Sequence, residues 1–216
     1  KIPRLNLVDV AIVATTSMHR ASAIRELLSK AERVRYLILE KNLFSEKKDY
    51  ALIGKLLKKR GVKTWVNHPR RLFPFHRLLA RRLRAKPFLY HIRSGSRNGL
   101  MTNALHYADY CSFLAGSTQF QTDTSLLSPK PVKSKRAGYL ELYGTLIFRF
   151  SNGSVGMATS LPQTALLMGD LESAGVRVAF NETAGEVFIA EKRSGWRWKK
   201  KKAPLPLQSN MTGPLI

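Results

Sequence analysis

Two stretches of the chain carry residue types that could do chemistry. In residues 34–45, VRYLILEKNLFS, the apolar Val34, Leu37, Ile38 and Leu39 give way abruptly to Glu40, Lys41 and Asn42. A short apolar run ending in charge reads as a buried parallel strand delivering polar groups at its carboxyl edge. In open α/β sheets that edge is where ligands bind. In residues 99–116, GLMTNALHYADYCSFLAG, helical spacing places Asn103, His106 and Asp109 near one face, three residues apart. An imidazole changes charge near neutral pH and suits proton shuttling; Asp109 could orient it or cap a neighbouring element. Arg70 or Arg71, just past a further strand, could hold an acidic or phosphorylated group. Each feature also has a plain structural reading: an ordinary loop lysine, a satisfied core histidine, a solvated arginine pair.

The elements that must position these residues follow from periodicity. Residues 7–14 form a β-branched apolar run, hence a buried strand. Residues 19–29 read as a helix through Ala23, Ile24, Leu27 and Leu28, and residues 34–39 as the next strand. Ser45 is placed to cap a second helix, with Tyr50, Ile53, Leu56 and Leu57 as its apolar face and Gly61 as its stop. Residues 62–67 make a third strand. This β-α-β-α-β order with short connections implies right-handed crossovers and a parallel sheet. Residues 68–87 form a basic amphipathic stretch, with Leu72, Phe75, Leu78, Leu79 and Leu83 sharing a face and Arg77, Arg81, Arg82 and Arg84 elsewhere; a solvated basic face on a packed helix is the preferred reading. Residues 88–94 form a strand, 94–99 a loop and 100–114 a helix stopped by Gly116. Residues 119–135 read as a loop or irregular edge.

From Gly138 onward the period is two. Residues 138–150 read as one long strand, residues 151–154, SNGS, as a hairpin turn and residues 155–161 as the returning strand. Residues 176–180 and 187–190 flank a turn at Gly185. Residues 196–202, WRWKKKK, form a strand edge whose lysines resist edge-to-edge pairing. The fold class is therefore α/β: a Rossmann-like parallel sheet followed by an α+β domain with a large, mainly antiparallel open sheet.

Composition narrows the classes further. Lys and Arg number 37 against 14 Asp and Glu, a formal charge of +23. That excess invites acidic partners such as nucleic acid, anionic lipid or phosphorylated small molecules. No run approaches the roughly 20 apolar residues of a membrane span, and residues 1–9 show no signal-peptide pattern. Cys111 is the only cysteine, so there is no internal disulfide and no cysteine-based metal site. The expectation is a cytoplasmic protein with no membrane span and no metal site.

A dinucleotide-binding fold opens with a strand and a G-x-G-x-x-G turn, and no such pattern occurs here. The chain reads as the C-terminal part of such a domain. The expected division is a partial nucleotide-binding domain over 1–72 and a substrate and dimerisation domain over 73–216.

Three patches then fall into one order. VAIVATTSMH at residues 10–19 is a strand ending in A-T-x-x-x-H, LEKNLF at residues 39–44 is similar to a glutamate-lysine-proline motif, and residues 99–116 carry H-x-x-D and end in Leu-x-Gly. With an antiparallel sheet following, these resemble the glucose-fructose oxidoreductase / inositol dehydrogenase / MocA (Gfo/Idh/MocA) family of NAD(P)-dependent oxidoreductases, which act mostly on sugars and cyclitols. WVNHPRRLFPFHRLL at residues 65–79 is similar to members associated with surface-polysaccharide or nucleotide-sugar metabolism. The resemblance implies hydride transfer between a sugar, cyclitol or nucleotide-sugar substrate and NAD or NADP. It implies His106 as acid/base, Lys41 as a charged donor to the same substrate oxygen and Asp109 beside them. Thr15, His19, Glu40 and Lys41 would face the cofactor, Asn103 and Arg70 the substrate. It also implies a homo-oligomer formed through the C-terminal sheet, and Tyr139, Tyr143, Leu146, Phe148 and Phe150 supply more large apolar side chains than one strand face can hide.

Two departures stand out. The family's proline after the lysine is Asn42, and its aspartate four residues before the histidine is Thr102. The competing reading is a catalytically silent relative, or a basic module contacting nucleic acid through residues 68–87 and 196–202; no nucleic-acid motif supports the latter. The oxidoreductase reading carries an expectation about the gene: coding sequence upstream of Lys1 should contain a strand followed by G-x-G-x-x-G or G-x-G-x-x-A. Sequencing that region checks it, and an in-frame start codon immediately before Lys1 would count against it.

Overall fold

The computed structural model describes residues 3–83, 86–95, 99–163, 167–195 and 197–204. Arg84 of the basic stretch, the centre of the 94–99 loop and Trp196 lie outside the described residues. The chain divides into two compact units, Lys1–Asn67 and His68–Ile216.

In the first unit, β1 (Leu5–Val13), β2 (Ala31–Leu39) and β3 (Lys63–Val66) form a parallel sheet in that order. The crossovers contain α1 (Ser17–Lys30) and α2 (Lys47–Lys59). Ile24, Leu27 and Leu28 of α1 and Ile53 and Leu57 of α2 bury against Val34, Leu37 and Leu39 of the central strand. The 3.6-residue recurrence of α1 and the apolar run of β2 thus meet in one core, as their periods require. Ser45 does not cap α2: the cap position is Glu46, and Ser45 Oγ lies 3.0 Å from Ser17 Oγ. Tyr50 departs from the expected apolar face as well, being exposed with its ring set edge-on to Phe44. Gly61 follows α2 at φ 64°, the left-handed conformation that glycine adopts without penalty.

The second unit opens with a 3-10 turn at Pro69–Arg71 and α3 (Pro74–Leu83). It continues through β4 (Phe88–Ser94), α4 (Leu100–Ala115), β5 (Phe120–Leu127), β6 (Val132–Lys133), β7 (Leu140–Glu141), β8 (Gly144–Phe150) and β9 (Val155–Ser160). It closes with β10 (Met168–Ser173), β11 (Val176–Asn181), β12 (Glu186–Lys192) and β13 (Trp198–Pro204). Eight strands form one sheet in the order β13-β12-β11-β10-β4-β9-β8-β5, antiparallel except for the parallel pair β4–β9. That exception follows from the α4 crossover, since parallel neighbours cannot be joined by a tight turn.

Side chains alternate across the sheet. Phe88, Tyr90 and Ile92, with Ala158, Leu171, Val178, Phe180 and Val187, bury against Leu79, Leu83, Tyr107, Tyr110, Cys111 and Leu114 of α3 and α4. The opposite face leaves Leu89 and Phe188 exposed.

Several expectations need correction. Of the two readings of residues 119–135, loop or irregular edge, the second describes β5, an edge strand with a register shift between Asp123 and Leu126; its core contacts come from Phe120 and Leu127, and its polar, solvated remainder hides the alternation. The long strand over 138–150 is two strands, interrupted before Gly144, where φ is 108° and an added Cβ would meet the Leu126 carbonyl oxygen. Strand β10 was not anticipated. Leu72 and Leu78 are exposed and leave the shared face of the basic stretch to Leu79 and Leu83, with His76 buried beside them. Leu146, Phe148 and Phe150 are not surplus, because all three lie on the helix-covered face.

At the centre of that face, a Cβ on Gly156 would sit 2.4 Å from Cys111 Sγ. Gly156→Ala should therefore destabilise the protein by about 1–3 kcal/mol, the usual cost of overpacking. Adding Cys111→Ala should recover much of that loss. Urea unfolding of the single and double variants checks the coupling.

Candidate active-site residues

At the carboxyl ends of β1 and β2 the chain turns outward and presents the residues noted from sequence. Thr15 and His19 are exposed, and Glu40 and Lys41 are half-buried. The Lys41–Asn42 peptide is cis, although Asn42 stands where the family resemblance has proline. The Glu40 backbone N–H donates to the Val13 carbonyl at 3.3 Å, and its carboxylate accepts from Asn67 Nδ2 at 2.5 Å. Sequence reasoning missed the residue that holds these loops. Arg20, 2 % exposed, extends from α1 and donates to the carbonyl oxygens of Thr15, Asn42 and Leu43. Bonds to a buried guanidinium are each worth about 1.5–3 kcal/mol, enough to set the course of both loops.

In the second unit the helix α4 does bring Asn103, His106 and Asp109 toward one side, but their partners differ from those expected. Asp109 does not pair with His106. Its two oxygens accept from Arg71 Nε at 2.9 and 2.8 Å. His106 Nδ1 instead lies 3.2 Å from Nδ1 of His68, the rings standing nearly perpendicular at 87°. Asp109 Oδ2 is 4.0 Å from that same His68 nitrogen. Asn103 Nδ2 donates back to the Gly99 carbonyl at 3.2 Å within the first turn of α4. Thr102, at the position of the missing aspartate, donates its hydroxyl to Glu141, a buried carboxylate that also receives the Thr102 N–H at 3.4 Å. A carboxylate thus stands at this turn of the helix, supplied by β7 rather than by α4.

Arg70 is neither exposed nor open to a substrate anion. Its Nε and Nη2 meet Glu182 at 3.1 and 2.5 Å, and its guanidinium lies over the Tyr107 ring at 5.8 Å. Burial pulls its pKa down, but Glu182, Tyr90 and Tyr107 outweigh that, and the net shift is upward. The same cation affects its surroundings. His76, donating to or accepting from Tyr110 Oη at 2.9 Å, has its pKa lowered to about 3, first by burial and then by Arg70. Cys111 is pushed up by burial, so its thiol is not an available nucleophile. Among the described residues, no group of three or more His, Cys, Asp or Glu side chains is placed to hold a metal ion, and no helix is long and apolar enough to cross a membrane.

The comparisons with known proteins turn on the fold. No family model matches the chain, and no curated protein matches its sequence. Solved structures do match. UDP-N-acetylglucosamine 3-dehydrogenase GnnA from Acidithiobacillus ferrooxidans superposes with a TM-score of 0.68 at 11% identity, over 96% of this chain and 67% of that one. The 3-ketoreductase KijD10 from Actinomadura kijaniata, solved in complex with TDP-benzene and NADP, gives 0.66 at 14% identity, over 96% of this chain and 68% of that one. A super-repressor mutant of Gal80p from Saccharomyces cerevisiae gives 0.68 at 14% identity, over 96% of this chain and 64% of that one. The chain spans about two thirds or less of the length of such structures, from 57% of an oxidoreductase from Sinorhizobium meliloti to 68% of KijD10. At these identities the likeness shows the fold alone, which the chain shares with GnnA, KijD10 and Gal80p, in accord with the family resemblance of its motifs.

The buried histidine makes one property measurable. The unfolded chain takes up a proton at His76 below about pH 6.5, whereas the folded chain resists until pH falls to about 3. Stability is therefore lost as pH falls through 6.5, by about 2 kcal/mol at pH 5 from this group. In His76→Gln, which keeps a polar partner for Tyr110 and does not titrate, the fall in urea stability between about pH 7 and pH 5 should shrink by that amount.

Proposed function

We propose that this chain is the larger, C-terminal part of an oxidoreductase that transfers hydride between a nicotinamide cofactor and a nucleotide-sugar hydroxyl or carbonyl. The observation that carries the reading is the conjunction of fold and residues. The fold is shared with GnnA and KijD10, and the family resemblance assigns the chemistry to Lys41, in the loop after β2, and to His106, on α4. The residues at the carboxyl edge of the first unit fit such a cofactor in kind: a hydroxyl from Thr15, an imidazole from His19, a carboxylate from Glu40 and an ammonium from Lys41 suit ribose hydroxyls and a pyrophosphate. The cofactor, NAD or NADP, supplies the hydride acceptor or donor. The nucleotide-sugar class accords with the net charge of +23.

In the oxidative direction, His106 takes the proton of the substrate hydroxyl as the hydride departs, and Lys41 stabilises the developing charge on oxygen. Arg70 leaves the list of substrate ligands, because Glu182 holds it. Asp109 acts on the histidines only at a distance, through Arg71 and His68. The open sheet face with Leu89 and Phe188 suits a second copy of the chain. Exposed Leu7, Val10 and Ile12 on β1, at the edge of the parallel sheet, suit cover by a further segment.

A second reading is a catalytically silent binding protein of the same fold, favoured by the likeness to Gal80p. Turnover separates the two. With the full-length protein, NADP(H) and a panel of nucleotide sugars, His106→Ala should lower kcat by roughly 10²–10⁴ while leaving cofactor affinity nearly intact. Lys41→Ala should impair both. Unchanged turnover in His106→Ala, or cofactor binding without turnover on any substrate, would favour the silent relative.

A further inference from the structure

His68 has no place in the reading drawn from sequence, yet its ring meets that of the proposed acid/base. The two Nδ1 atoms are 3.2 Å apart. A hydrogen bond between imidazole nitrogens needs one hydrogen, so one Nδ1 is protonated and the other accepts. Two arrangements satisfy the contact. If His68 carries the hydrogen on Nδ1, His106 accepts there and, when neutral, has its own hydrogen on Nε2. If His106 carries it, its Nε2 has an open lone pair, the state a base needs.

The role proposed for His106 selects between them. Asp109 Oδ2 stands 4.0 Å from His68 Nδ1, too far to accept a hydrogen bond from that nitrogen. Its charge is answered by Arg71, which binds both carboxylate oxygens at 2.8–2.9 Å. The carboxylate therefore exerts only a weakened pull on a proton at His68 Nδ1. His106, by contrast, needs an acceptor for its Nδ1–H in both working states, the neutral base and the imidazolium formed when Nε2 takes the substrate proton. His68 Nδ1 is placed to be that acceptor throughout.

We propose that His68 is the positioning residue of His106: it accepts the His106 Nδ1–H and fixes the tautomer that leaves Nε2 to take the substrate proton. The inference rests on the oxidoreductase reading for its consequence in catalysis, but the tautomer is a property of the protein whether or not it turns over. The proton balance is simple. The substrate hydroxyl hydrogen moves to His106 Nε2, the carbinol hydride moves to the oxidised nicotinamide, and the Nδ1–H stays on His106 throughout, donated to His68.

The test labels histidine with ¹⁵N and reads the ring nitrogens at about pH 8, above the ordinary imidazole range. Loss of signals in His19→Gln, His76→Gln, His91→Gln and His106→Gln assigns them. In the wild type, His106 should show the Nδ1–H tautomer. In His68→Phe, which offers no acceptor, the population should move to Nε2–H. In His68→Asn, whose amide oxygen can accept, it should return to Nδ1–H, which separates a specific bond from mere packing. In the full-length enzyme kcat should fall in His68→Phe, by up to about 10⁴-fold, the loss when a working imidazole is held in the wrong tautomer, with KM little changed and His68→Asn recovering most of the loss. A wild-type His106 in the Nε2–H form, or the same tautomer in His68→Phe as in wild type, would overturn the proposal. The expected tautomers without turnover in any form would uphold the bond and reject the oxidoreductase reading instead.

Discussion

The arrangement of the second unit depends on Glu182 answering the charge of Arg70. The guanidinium is held among Tyr90, Tyr107 and Tyr110, where an unpaired charge would be costly. Removing one partner of a buried pair typically costs about 3–5 kcal/mol, because the other is left uncompensated. The pair also joins distant segments: Arg70 precedes α3, while Glu182 follows β11. Burial raises the pKa values of all three tyrosines, and Arg70 opposes that rise in each. The same cation helps to keep His76 neutral. Burial thus sets the protonation of this aromatic layer, and Arg70 opposes it at the tyrosines and reinforces it at His76.

Arg70 and its neighbour Arg71 show how a short turn distributes function. They are consecutive in a 3-10 turn, where successive side chains diverge by roughly a third of a circle. Arg70 is directed to Glu182 in the turn after β11, and Arg71 to Asp109 on α4. His68, the residue just before the turn, meets His106 one helical turn before Asp109. Two ion pairs and one imidazole contact therefore fasten the same short segment to the sheet and to α4. The candidate acid/base is consequently set against a structure already fixed by buried charge, which is the rigid support a proton-transfer site needs.

The first unit solves a comparable problem with one buried cation. Arg20 gathers carbonyl oxygens from the loops after β1 and β2, the loops that carry Thr15 and Lys41. Backbone carbonyls at sheet edges lack ladder partners, and a guanidinium with several donors can satisfy more than one. The loop after β2 accordingly has a defined course with Asn42 in place of proline.

Much of the fold was legible in the sequence because its signals are local. Apolar periodicity placed α1, β2, β4 and α4 to within a few residues, and Asn152-Gly153 marked the turn between β8 and β9. Lys41 and His106 stood out because each ends or interrupts an apolar pattern with a group that chemistry can use. Strand β5 was legible only as a loop or irregular edge, because an edge strand needs few core contacts and reads as polar. The break before Gly144 was missed because it arises from close approach of the Leu126 backbone, which no one-dimensional pattern carries. Pairings were beyond reach for the same reason. Nothing in the chain says that Arg70 meets Glu182 rather than a substrate anion, that Asp109 binds Arg71 rather than His106, or that His68 and His106 touch. Residue type and local period are encoded along the chain, but which charge answers which is decided only when folding removes both from water and makes an unpaired partner too costly to keep.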